Sequence, residues 1–157
     1  MLPNDLLEKK HMNGDRFFVD TNILLYTFDV KDDAKRRQAR LWMDLLWQST
    51  AAYISWQVLQ EFYYNAVKKF SVPPDQARIA VNAWAQWHPP DVTLGMFERA
   101  WFWTDQTQIT FWDAMIVSAA ERVGCRWLLS EDFQTGRQFA GVTVVNPFKT
   151  DPGGLLA

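Results

Sequence analysis

The feature that most constrains this chain is a set of short apolar runs spaced between long stretches of helical periodicity. Arg16-Phe17-Phe18-Val19 stops abruptly at Asp20-Thr21-Asn22, the pattern of a buried strand ending in a polar turn. Ala51 to Ile54, Arg126 to Leu129 and Val142 to Val145 read as further strands. Ile23 to Phe28 reads as a short helix with Asn22 or Thr21 as its cap. Asp33 to Trp47 is predicted as a helix with a basic outer face (Lys35, Arg36, Arg37, Arg40) and an apolar stripe through Leu41 and Leu45. Ser55 is placed to cap a helix running to about Phe70. Three more helices are predicted at Asp75–Trp87, after Pro73-Pro74, at Thr93–Thr107 and at Thr110–Val123, the last stopped by Gly124. Strands separated by helices imply an α/β fold, a parallel sheet covered on both faces.

With 157 residues, 48% of them hydrophobic, the chain suits one domain around one core. Met1 to Gly14 is polar and without periodicity, and His11-Met12 is a dipeptide often left by cloning. The expected division is a flexible leader over 1–15, a domain over 16–148 and a tail over 149–157.

Open sheets of this kind place functional groups beyond the carboxyl ends of their strands. Four acids meet that demand. Asp20 follows the first strand directly, and Asp132 follows the Arg126–Leu129 strand closely. Asp113 begins the helix that leads into that strand, and Glu61 lies within two turns of the second strand's end. Each also has an ordinary explanation. Asp20 reads equally as a turn residue or cap. Thr110-Phe111-Trp112-Asp113 has capping-box spacing. Glu61 falls in line with Asn65 and Lys68 as a solvated stripe, and Asp132 reads as the cap of a short helix from Phe133, with Glu131 as a competing acid.

Their joint placement favours the functional reading. Carboxylates gathered at one sheet edge repel each other unless a cation is present. Hard divalent ions such as Mg²⁺ or Mn²⁺ take oxygen ligands of this kind and assist phosphodiester cleavage. The only histidines are His11 and His88, which makes a histidine-based acid–base nuclease improbable. A single cysteine, Cys125, excludes an intramolecular disulfide and a cysteine-based zinc site. No apolar run approaches ~18 residues and no secretory signal is evident, so a cytoplasmic location is expected. The net charge of −2 denies the chain the basic excess of a non-specific nucleic-acid binder.

These residues resemble a known family. Phe17-Phe18-Val19-Asp20-Thr21-Asn22-Ile23-Leu24-Leu25-Tyr26 is similar to the opening motif of PIN domains, especially the toxin ribonucleases of bacterial VapBC toxin–antitoxin pairs. Val58-Leu59-Gln60-Glu61-Phe62 matches their second acidic motif, and Phe111-Trp112-Asp113-Ala114-Met115-Ile116-Val117 the third. Leu128-Leu129-Ser130-Glu131-Asp132-Phe133 matches the fourth, with Ser130 where Thr is more usual. The resemblance runs from about Arg16 to Phe148. It implies an α/β/α sandwich with a mainly parallel sheet, Mg²⁺ or Mn²⁺ dependence, and endonucleolytic cleavage of RNA. It makes Asp20, Glu61 and Asp113 the core metal-site acids, Asp132 a fourth, and Asn22 and Ser130 polar supports.

The resemblance also implies a homodimer and a cognate antitoxin. Lys35, Arg36, Arg37, Lys68 and Lys69 are candidate RNA guides, against a reading as solvated helix faces. Trp42, Trp47, Phe62, Tyr63, Tyr64, Trp84 and Trp87 exceed the expected need of the core and suggest a partner groove. Competing readings are an RNA-processing nuclease without an antitoxin, a non-catalytic interaction module on the same fold, and a phosphohydrolase with Asp20 as nucleophile. The last would more naturally carry Asp than Asn at position 22.

Overall fold

The computed structural model describes residues 15–156. Its sheet has five strands: β1 (Phe17–Val19), β2 (Ala52–Tyr53), β3 (Trp127–Leu129), β4 (Gln138–Phe139) and β5 (Val142–Val145), in the order β2-β1-β3-β5-β4. The first, second, third and fifth strands are parallel, and β4 is an antiparallel edge strand. Among the described residues seven helices are interleaved: α1 (Thr21–Tyr26), α2 (Asp33–Ser49), α3 (Trp56–Lys69), α4 (Pro74–Trp84), α5 (Leu94–Gln106), α6 (Phe111–Arg122) and α7 (Pro152–Leu156). Successive side chains of a strand point to opposite faces. Phe17, Phe18 and Val19 are all buried, so both faces of β1 are covered, as a three-layer α/β/α sandwich requires.

The hydrophobic runs account for the strands, but tertiary packing selects the buried helix faces. Leu41 and Leu45 do not form the inward stripe of α2: Leu41 is 45% exposed, whereas Ala39, Trp42, Met43 and Leu46 are buried. Trp42 sets this rotation. Its ring packs on Phe17 at 6.2 Å, and its Nε1 donates to the Pro147 carbonyl at 2.9 Å. Helix α4 ends at Trp84 rather than Trp87, after which Trp87 turns back into the core beside Trp47.

Neither Thr21 nor Asn22 caps α1. Asp20 does, with its carboxylate accepting from the Thr21 backbone N–H. Ser55 caps α3 as expected. Two elements were not foreseen. β4 forms across a two-residue turn that Ala140 enters in the left-handed region, at φ 54°. The segment read as a tail contains α7, which lies against α2, while Gln38 of α2 donates to the carbonyls of Pro147 and Thr150.

The aromatic surplus is largely core. Trp42, Phe62 and Trp87 are buried, and Tyr63 and Trp84 half-buried. Only Trp47 and Tyr64 of that group are exposed. The first fourteen residues, read as a leader, lie outside the described residues.

Candidate active site

The chain turns from β1 toward β2 on one side of the sheet and reaches β3 on the other, which makes the ends of β1 and β3 the switch point. Their register pairs Val19 with Leu129, and the Asp20 N–H donates to the Leu129 carbonyl at 3.0 Å. The residues following each strand therefore stand side by side. The fully buried Ser130 donates its hydroxyl to Asp20 Oδ2 at 2.7 Å. The Thr21 N–H donates to Asp20 Oδ1 at the same distance. Burial is the main influence on Asp20. It pushes the carboxyl up to about 7 despite the Ser130 and Thr21 donors, and the charges of Asp132 and Glu61 push the same way.

Asn22 and Ser130 shape the fourth acid. Asn22 Nδ2 donates to Asp132 Oδ2 at 2.9 Å, and the Asp132 N–H donates to Ser130 Oγ at 3.1 Å. Asp132 does not cap a helix, because Glu131 to Phe133 form a bend with no helix after it. Glu131 is drawn elsewhere. Its carboxylate accepts from Tyr26 Oη at 2.7 Å and pairs with Lys35 Nζ at 2.5 Å. Lys35 also lies over the rings of Tyr26 and Phe148. Of the two adjacent acids, Glu131 is thus held by a cation on α2 and a phenol on α1, and Asp132 by Asn22.

Glu61 is not part of a solvated stripe. α1 packs against α3, and Thr21 Oγ1 donates to Glu61 Oε2 at 2.7 Å. Gln57 Nε2 donates to Glu61 Oε1 at 2.9 Å and to the Trp112 carbonyl at 3.1 Å. Asp113 sits in the first turn of α6, whose next seven residues, Ala114 to Ala120, are all buried. Thr110 caps this helix by accepting from the Asp113 N–H. Burial raises the Asp113 carboxyl, the Thr110 hydroxyl lowers it, and the charges of Asp132 and Glu61 raise it further.

All four acids therefore share one electrostatic site, since the charges of Glu61 and Asp132 act on both Asp20 and Asp113. The ion pairs among the described residues leave all four out. Among the described residues no three His, Cys, Asp or Glu side chains are gathered tightly enough to hold an ion as they stand. The donor set is nonetheless all oxygen, acidic and without an internal counter-charge, which suits a hard divalent cation.

Sequence reasoning missed Thr21 and Gln57 as supports of Glu61, and Tyr26 as a support of Glu131. Gln57 stands four residues before Glu61, a helical spacing that could have revealed it. Thr21 meets a partner forty residues away, for which no local signal exists.

Residues 17–138 match the model of the PIN domain. The chain belongs to the PIN domain family. Among curated proteins there is no match. Among solved structures, this PIN domain is similar to Mycobacterium tuberculosis VapC20, a sarcin-ricin loop cleaving toxin. The TM-score is 0.56 at 22% identity, over 74% of this chain and 89% of that one. That likeness supports the PIN fold, and the match to the family model is independent of it.

The expected RNA guides are largely engaged within the domain. Lys35 pairs with Glu131, and Arg36 and Arg37 both pair with Asp33. Lys68 and Lys69 are exposed in the last turn of α3 and make no ion pair among the described residues. No helix among the described residues is long and apolar enough to cross a membrane.

Proposed function

We propose that this PIN domain, spanning 16–148, is a divalent-cation-dependent endoribonuclease and the toxin of a type II toxin–antitoxin pair acting in the cytoplasm. The observation that carries the reading is the shared acidic site. Four carboxylates from four separate segments influence one another at the carboxyl end of the sheet, with no lysine or arginine among the described residues paired to any of them. Similarity to VapC20, a toxin that cleaves the sarcin-ricin loop, supports RNA as the substrate class and a cognate antitoxin as partner, and the family resemblance adds a second copy of the chain.

Asp20, Glu61 and Asp113 would hold Mg²⁺ or Mn²⁺, with Asp132 assisting. When bound, the cation supplies Lewis acidity toward the scissile phosphodiester and lowers the pKa of an attacking water. The protein's own groups keep the acids in place. Ser130 and the Thr21 N–H fix both oxygens of Asp20. Thr21 and Gln57 set the orientation of Glu61. Asn22 donates to both Asp132 and Asp20 and so holds the exposed Asp132 carboxylate beside Asp20. Such preorganisation places charge around the reacting phosphate before it arrives.

The test compares purified wild type with Asp20→Asn on bacterial RNA in Mn²⁺, alongside growth after induction in bacteria. Wild type should cut RNA and arrest growth, and the variant should do neither. Undiminished cleavage by the folded variant, or an inactive wild type, would overturn the assignment.

A further inference from the structure

Two tryptophans border the acidic site with their indoles in solvent. Trp112, immediately before Asp113, is 65% exposed, and Trp56, which opens the helix carrying Glu61, is 43% exposed. Gln57 ties their segments together, donating through one nitrogen both to Glu61 and to the Trp112 carbonyl. The first turns of α3 and α6 are thereby stapled at the acids, one exposed indole on each. Trp112 is also backed from within. Its ring meets Phe111 edge-on at 5.4 Å, and Phe111 rests on Phe97 at 5.7 Å. The indole thus has an aromatic backing on one side and keeps most of its surface open to solvent.

A second observation concerns charge. A polyanion is usually held by lysine and arginine, and the resulting affinity falls steeply with salt. Here the net charge is −2, the site itself is acidic, and Lys35, Arg36 and Arg37 are paired to Glu131 and Asp33. Lys68 and Lys69, unpaired among the described residues, stand in the last turn of α3, whereas its first turn and that of α6 present aromatic faces. Unpaired bases stack on such faces whatever their identity, whereas bases inside a duplex have both faces occupied.

We infer that Trp112, with Trp56 on the segment that Gln57 ties to it, is a stacking platform that holds an unpaired nucleotide of the RNA next to the acidic site. This rests on the ribonuclease reading above and adds the residues that grip the nucleotide. Recognition then depends on stacking more than on phosphate neutralisation, which leaves binding comparatively insensitive to salt.

The experiment measures binding of a short fluorescein-labelled single-stranded RNA by anisotropy in the Asp20→Asn background, adding Trp112→Ala, Trp112→Leu or Trp112→Phe. Leu keeps the apolar packing on Phe111 without a π-face, and Phe keeps the π-face. Ala and Leu should each weaken binding about 10-fold, as loss of one base–aromatic stack does, and Phe should retain most of it. The dependence on salt should not change, because no cation is removed. With Asp20 intact, Trp112→Leu should raise KM for RNA and leave kcat within about twofold, the signature of lost uniform binding. Leu and Phe binding alike would overturn the platform, as would single- and double-stranded RNA binding wild type equally. A fall in oligomeric mass by light scattering with RNA binding unchanged would make Trp112 a protein contact and also overturn it. If wild type cleaves RNA and the Trp112 variants match it, the platform fails while the ribonuclease reading stands. If wild type neither binds nor cleaves RNA, both fail.

Discussion

Asp20 should make the cation-free protein less stable as the pH rises toward neutrality, and Asp20→Asn should remove that loss. Its carboxyl moves from an ordinary value of 3.8 to about 7 on burial. A raised value means that the folded state holds the proton more tightly than the unfolded chain. The contribution to stability is therefore complete below about pH 4 and is lost as pH climbs through 7. A shift of about three units at 1.36 kcal/mol each amounts to roughly 4 kcal/mol between those limits. Asn stays neutral throughout. Its single carbonyl oxygen cannot serve both the Thr21 N–H and the Ser130 hydroxyl, which costs about 1 kcal/mol. Without divalent ions, Asp20→Asn should thus be more stable than wild type by about 2–3 kcal/mol near pH 7, and equal or slightly less stable near pH 4. The raised Asp113 carboxyl adds pH dependence of the same sign, but to both proteins alike. Urea unfolding in EDTA across this range gives the comparison directly. Mn²⁺ should then stabilise wild type and leave the variant unmoved, because only a ligand bound by the folded state shifts the equilibrium. Parallel stability profiles for the two proteins would refute the claim that burial of Asp20 is compensated by a cation.

Other outcomes follow from the same contacts. Thr21→Val, which deletes the hydroxyl on Glu61, should lower cleavage of RNA by roughly ten- to a hundredfold while Thr21→Ser retains most activity, since outer supports of a metal site have effects of that size. Lys35→Met should cost about 1 kcal/mol or less in urea unfolding, as the pair is partly exposed, yet reduce cleavage by freeing Glu131 to compete with Asp132. Trp42→Ala should destabilise by roughly 3–5 kcal/mol, reading out the lost packing on Phe17 and the lost Nε1 bond to the Pro147 carbonyl, which keeps Gln38 as a donor. EDTA should abolish cleavage by wild type, and added Mg²⁺ or Mn²⁺ should restore it, with circular dichroism unchanged throughout.

The sequence by itself determined the α/β class and the order of four strands and six helices, because these follow from local hydrophobic runs, turn residues and their spacing; the four acids it offered as candidates, each with an ordinary local reading beside the functional one. Phe17-Phe18-Val19 could only be a strand covered on both faces, and the acid that ends it could only lie at the strand's carboxyl end. What it could not determine were choices made by distant neighbours. Leu41 and Trp42 are both apolar members of one helix, and the ring of Phe17 decided which of them turned inward. Glu131 and Asp132 are adjacent acids, and Lys35 with Tyr26 holds the first from two other helices while Asn22 holds the second. Glu61 read as a surface residue until the packing of α1 against α3 set the Thr21 hydroxyl on it. Local pattern specifies elements through backbone preference and burial, whereas a site depends on which side chains meet across segments, and that is settled only when the layers pack.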